Sequence, residues 1–311
     1  MPSRHLNSLW PKDLSQQCAR LQAQSPYRQF ASFSHFRPIY TSPNNARTSA
    51  SELQATSLRP QTSTPIFNAD ARRQRSASLF TRAPGSIGEN YVAYGMTQKL
   101  FEACNKQGDY KIPQLQEKGG EVPKTEDGEH IGVGDSWWYK ELGLMPTFST
   151  WSQITFLHMY LLTVRLRALP SRDSFQTYSR HLIDHFSHNA EHRMDVLHGL
   201  TSRSIRNKFL KDLFIQWRGV LAAYDEGLIK GDAVLGAAVW RNLWKASYTS
   251  PDGKEIDWEK VACVVAYMRR VTLELSKLDE GELIMKLATG SGKSFVFSPS
   301  EADKQLVGGS R

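Results

Sequence analysis

The chain has 311 residues, 39 Lys and Arg against 31 Asp and Glu, a formal charge of +8, a pI near 9.3 and a mean hydropathy of −0.47. The whole excess lies in residues 1–84, where Lys12 and ten Arg face only Asp13, Glu52 and Asp70, while the other 28 basic and 28 acidic residues balance. The basicity is therefore that of a leader, which removes the main argument for a nucleic-acid-binding domain, and no apolar run approaches the roughly 18 residues a membrane-spanning helix needs.

Within the leader, Leu6, Trp10, Leu14, Cys18 and Leu21 recur at steps of three or four, with Arg4, Lys12 and Arg20 off that stripe. A basic amphipathic helix in an acid-poor segment with 13 Ser and 6 Thr is the signature of a mitochondrial transit peptide. Arg28-Gln29-Phe30-Ala31-Ser32 resembles the site cut by the matrix protease, so residues 1–30 are expected to be removed and the mature chain to start near Ala31. The basic Ser/Thr/Pro-rich stretch 31–84 has few large apolar residues and is expected to be disordered. The other reading of this segment is a nucleic-acid-binding tail. The cluster Arg72-Arg73-Gln74-Arg75 lacks the interleaved aromatic residues on which bases stack, which argues against it. Cys18, Cys104 and Cys263 are too far apart for a CxxC motif, and Cys263 sits in an apolar helical pattern as core.

Residues 85–136 are expected to form a helix from Tyr91 to about Lys106, with Tyr94, Leu100 and Phe101 as its apolar residues, and then a Gly- and charge-rich solvated loop. Residues 137–287 read as a single all-α domain, giving about five to seven helices after the leader, and 288–311 as a flexible tail. Thr150-Trp151-Ser152-Gln153 has the form of a capping box opening a helix that stops before Pro170. A second helix spans about Ser174–His198 and ends at Gly199. A third, about Ser204–Ile229, carries Leu210, Phe214, Trp217, Leu221, Tyr224 and Leu228 at spacings of 4, 3, 4, 3 and 4, which predicts one buried face. Gly231-Asp232 opens the next, Ala233 to about Lys245. After a Pro251-Asp252-Gly253 turn, Asp257 caps a last long helix bearing Trp258, Val261, Val265, Met268, Val271, Leu275 and Leu278. Only Ser294–Ser298 alternates enough to suggest a strand.

Three motifs hint at chemistry. Gly290-Ser291-Gly292-Lys293-Ser294 resembles the end of a phosphate loop, but Leu287 stands where that loop needs its first Gly, and the preceding segment is helical in pattern. His181, His185, His188 and His192 share a helix face and could chelate a metal, or pad a helix contact with a polar edge in water. Asp225-Glu226 are adjacent on a helix and diverge by about 100°, so they form no acid/base dyad. They are expected to pair with Arg218, Lys230, Arg241 or a partner, with Arg241 forking onto them across the short Gly227–Asp232 connection. No catalytic, cofactor-binding or metal-binding residue is assigned. The load of Trp and Arg points instead to an interaction surface.

Thr150-Trp151-Ser152-Gln153, Leu157-His158-Met159-Tyr160-Leu161-Leu162, Ala223-Tyr224-Asp225-Glu226-Gly227-Leu228 and Ala238-Val239-Trp240-Arg241-Asn242 together resemble the ubiquinol–cytochrome c chaperone family over roughly residues 137–285. The resemblance implies a non-enzymatic complex III assembly factor of fungal type without cofactor, on the matrix side of the mitochondrial inner membrane and peripherally attached to it. It would bind newly made cytochrome b together with a small partner protein near the mitoribosomal tunnel exit and promote cytochrome b translation, with no direct nucleic-acid contact. On this resemblance the partner-binding residues are Trp151, Arg165, Arg167, Trp217, Arg218, Tyr224, Asp225, Glu226, Trp240, Arg241 and Trp244. The alternative is a metal- or nucleotide-dependent matrix enzyme.

Overall fold

The computed structural model describes residues 87–116, 120–250, 253–288 and 296–308. The leader, the expected cleavage site and the Gly290–Ser294 motif lie outside them. Among the described residues there are nine α-helices and no β-strand: α1 Ile87–Gln107, α2 Trp137–Lys140, α3 Phe148–Leu166, α4 Arg172–Val196, α5 Arg203–Lys230, α6 Asp232–Leu243, α7 Trp258–Lys277, α8 Glu280–Ala288 and α9 Glu301–Gly308. The count exceeds the expected five to seven through the single turn α2 and the short α8 and α9.

Helix α3 is the axis of the fold, with 16 of its 19 residues buried. It is apolar on nearly every side, which requires neighbours all round, and α1, α4, α5, α6 and α7 supply them. Several of its buried polar side chains bond within the helix: Thr155 and Thr163 donate to the carbonyls of Trp151 and Met159 at 2.8 Å, and His158 Nδ1 lies 2.7 Å from the Ile154 carbonyl. The capping box is displaced by one turn. Thr147 is the N-cap and accepts from the Thr150 amide at 3.2 Å. Gln153 instead bonds across to Gln216 of α5 at 2.9 Å. Asp257 caps α7 as expected, accepting from the Glu259 amide at 3.0 Å.

The buried face of α5 is rotated from the expected one. Leu213, Trp217, Val220, Tyr224 and Gly227 are buried, whereas Phe214 is 48% exposed and Leu210, Leu221 and Leu228 are half-buried. Close approach of α6 draws this face inward: a Cβ at Gly227 would lie 2.6 Å from the Leu235 Cα, so only glycine allows the two helices to meet there. Gly231, at φ +110°, makes the turn between them.

The loop between α1 and α2 is only partly solvated. Isolated bridges join Lys111 to Val133 and Lys124 to His130, and Tyr110, Ile112, Glu129 and His130 are buried. The Glu129 carboxylate accepts from the Ser149 amide in the first turn of α3 at 2.6 Å and pairs with Lys245 at 3.0 Å, so one buried charge ties the loop to two helices. The expected flexible tail also contains ordered structure. Val296 and Phe297 are buried, the Tyr267 hydroxyl meets the Phe297 carbonyl at 2.9 Å, and Arg270 pairs with Asp303 at 2.8 Å. Residues 296–298 form a turn rather than a strand.

Candidate functional site

The sequence-expected partner residues divide between core and surface. Trp151, Trp217, Tyr224 and Trp244 are buried. Trp151 donates its indole N–H to Asn105 at 2.8 Å and carries the Arg193 guanidinium 4.6 Å above its ring, and Trp217 packs on Phe156. These side chains are part of the core that builds the scaffold. Arg165, half-buried, donates to the Leu278 carbonyl at 2.9 Å and so ties α3 to the end of α7. Arg218, Glu226 and Arg241 are exposed, and Glu226 pairs with Lys230 at 2.7 Å.

Asp225 is not held by Arg241. Arg167, just past the end of α3, forks onto it at 2.6 and 2.9 Å, and the Tyr160 hydroxyl donates to the same carboxylate at 3.0 Å. The geometry is the bidentate one expected of Arg. The sequence indicated the right acid and the wrong guanidinium, because the partner comes from a helix 58 residues away rather than from the next one.

The histidine stripe on α4 is also split by burial. His185 is buried against α1, with its Nε2 3.1 Å from both the Thr97 hydroxyl and the Tyr94 carbonyl, and burial lowers its pKa. His188 and His192 are exposed. Among the described residues no group of three or more His, Cys, Asp or Glu is placed to hold a metal ion. His185 therefore pads a helix contact.

Trp240, which is half-buried, leads to a feature the sequence analysis missed. Helices α6 and α7 enclose an open apolar groove of about 590 Å³. Its floor and walls are Ala233, Gly236 and Ala237 from α6 and Ala262, Val265 and Ala266 from α7, with Trp240 and Trp258 at one end and Asp232 at the other. The signal was present as two Ala-x3-Ala pairs, 233/237 and 262/266, which place small side chains on one face of each helix. Such faces let a third helix approach closely.

The aromatic end of the groove is built firmly. Trp240 donates its indole N–H to the Ser247 carbonyl at 2.7 Å, and its ring lies 5.1 Å from that of Tyr248 and 5.6 Å from that of Trp258. Trp258 and Tyr248 remain 47% and 68% exposed, so this rim offers aromatic area to a ligand. Trp258 was expected on the buried face of α7. The turn that presents Tyr248 passes through Lys245 and Ala246 at φ +53° and +55°, a conformation unfavourable for side-chain-bearing residues, and the Lys245–Glu129 pair anchors it. The groove brings together no nucleophile and base. What it can do is receive an apolar segment.

The sequence pattern of the family described as "Ubiquinol-cytochrome C chaperone" matches residues 140–289. The chain is 37% identical over 209 residues to "Protein CBP3, mitochondrial" of Saccharomyces cerevisiae, covering 67% of this chain and 58% of that protein. It is 25% identical over 147 residues to "Ubiquinol-cytochrome-c reductase complex assembly factor 1" of Xenopus laevis, covering 47% of this chain and 68% of that one. The crystal structure of the Cbp3 homolog from Brucella abortus is similar at a TM-score of 0.45 and 15% identity, over 65% of this chain and 90% of that chain. The chain thus spans 58% of the length of its yeast relative.

Proposed function

The chain belongs to the ubiquinol–cytochrome C chaperone family through residues 140–289, and we propose that it is a non-enzymatic assembly factor for the ubiquinol–cytochrome c reductase complex. Its client on this reading is newly synthesised cytochrome b, held together with a small partner protein near the mitoribosomal tunnel exit so that translation and assembly stay coupled. The leader directs the chain into mitochondria, residues 1–30 are removed, and the mature protein works on the matrix side of the inner membrane as a peripheral protein.

The observation that carries this reading is the open groove between α6 and α7. A membrane protein in transit exposes apolar helices, and a groove floored by alanine and glycine and rimmed by tryptophan suits one of them. The test is deletion of the gene followed by native-gel analysis of respiratory complexes. Loss of complex III with complex IV and ATP synthase retained is expected. Unchanged complex III would overturn the proposal, and a metal- or nucleotide-dependent matrix enzyme would then be the reading to pursue.

A further inference from the structure

Helix α5 has an outer face that the fold does not use. Residues 203–218 hold Arg203, Arg206, Lys208, Lys211 and Arg218 against a single acid, Asp212. Arg206 is neutralised by Glu191 and Asp195, both at 3.3 Å, which leaves four cations on the exposed side. At 100° per residue, Lys208, Lys211, Ile215, Arg218 and Ala222 fall together, opposite the buried line of Leu213, Trp217 and Val220. Apolar side chains stand among these charges: Ile215 is 59% exposed and Phe214 48%. Farther along, the exposed acid Glu226 is answered by Lys230, and Asp225 by Arg167.

We propose that this face of α5, from Arg203 to Arg218, lies on an anionic phospholipid surface, with Phe214 and Ile215 entering the headgroup boundary and Arg203, Lys208, Lys211 and Arg218 meeting lipid phosphates. The proposal rests on the reading of the protein as peripheral to a membrane and says which surface makes the contact. Charge complementarity selects the occupant, since a helix lying in the interface plane needs cations flanking a short apolar ridge. The basic face is about 20 Å long at the α-helical rise, enough for several headgroups. Among the described residues no helix is long and apolar enough to cross a membrane, so attachment through them is by contact from one side. One phenylalanine beside an isoleucine among the cations suits the lipid interface, whereas RNA would call for several aromatic platforms along the face.

The test is flotation of the full chain with vesicles of phosphatidylcholine containing phosphatidylglycerol. An environment-sensitive dye on Ile215→Cys in a Cys18→Ser background reads the face directly, since the other two cysteines are buried. Binding accompanied by a blue shift of the dye, and weakened at least about tenfold by the triple variant Lys208→Glu, Lys211→Glu, Arg218→Glu, is the expected result. Binding with no dye shift and an unaffected triple variant would place the contact elsewhere, for example in the basic leader, and overturn the inference while leaving peripheral attachment intact. No vesicle binding at all would overturn both. Retention on single-stranded RNA in preference to vesicles, abolished by the triple variant, would reassign the face to nucleic acid.

Discussion

Arg167 grips Asp225 with two parallel hydrogen bonds, at 2.6 and 2.9 Å, and so locks the end of α3 to α5 at a point where the Tyr160 hydroxyl joins the same carboxylate. The pair is about two-fifths exposed, which moderates its worth despite good geometry. Asp225→Ala is expected to destabilise the protein by about 1–2 kcal/mol, because it also leaves the hydroxyl of the buried Tyr160 without its acceptor. Arg167→Lys should recover part of the loss relative to Arg167→Ala, since an ammonium cannot fork. Arg241→Ala, at an exposed site, should fall within about 0.5 kcal/mol of wild type. Thermal or urea melts of the four variants check the ranking.

Glu129 is a buried carboxylate serving two masters, the α3 amide of Ser149 and the ammonium of Lys245. Removing it strands a helix N-terminus and releases the strained Lys245–Ala246 turn. Glu129→Ala is expected to lower stability by about 2–3 kcal/mol, and Glu129→Gln by less, because the amide oxygen can still accept from Ser149. Urea unfolding midpoints decide between them.

Two glycines of α5 make opposite predictions. Gly227→Ala drives a methyl to within 2.6 Å of the Leu235 backbone, so it should separate α5 from α6 and destabilise by more than about 2 kcal/mol. Gly219 has open space around its Cβ position in an exposed helical turn, and Gly219→Ala should stabilise by up to about 1 kcal/mol through the lost freedom of the unfolded chain. Calorimetric melting temperatures should move in opposite directions.

Acid should loosen the fold in a defined window. Burial holds His158 at about 4 and His198 at about 3, and depresses His130 as well, against an ordinary value of 6.5. The Ile154 carbonyl facing His158 Nδ1 at 2.7 Å requires that nitrogen to carry the proton, while Nε2 lies 2.8 Å from the oxygen of the Tyr267 hydroxyl, whose own proton goes to the Phe297 carbonyl. The unfolded chain binds more protons than the folded one below 6.5, so the stabilising contribution is fully present above that pH. It is lost as pH falls from about 6.5 toward 4, and for His158 amounts to something on the order of 3 kcal/mol. Unfolding free energies measured at intervals between pH 7 and 4 should fall along this course, and a flat profile would contradict it.

Much of the helical layout was legible because the sequence is locally consistent. Asp257, Gly199 and Gly231 stand at helix boundaries, and the apolar load of α3 announces a central helix. What escaped were features set by partners distant in sequence. The rotation of α5 depends on the Gly227–Leu235 approach, the choice of Arg167 over Arg241 on the course of α3, and the ordering of residues 296–305 on Tyr267 and Arg270. The groove was missed for a different reason. Alanine signals little in a periodicity analysis, and Trp258 read as core whereas it stands at an open edge.

The central claim is that the α6–α7 groove holds newly made cytochrome b. Ala237 is exposed in the groove and clear of the core, so Ala237→Phe should fill the groove while leaving the fold intact. The measurement is affinity capture of wild-type and Ala237→Phe protein from mitochondria pulse-labelled with cytosolic translation blocked, at matched protein abundance. Labelled cytochrome b recovered with the wild type and reduced at least about tenfold with the variant is the predicted result, equivalent to the loss of roughly 1.4 kcal/mol or more of binding. Equal recovery of labelled cytochrome b with both proteins would contradict the account.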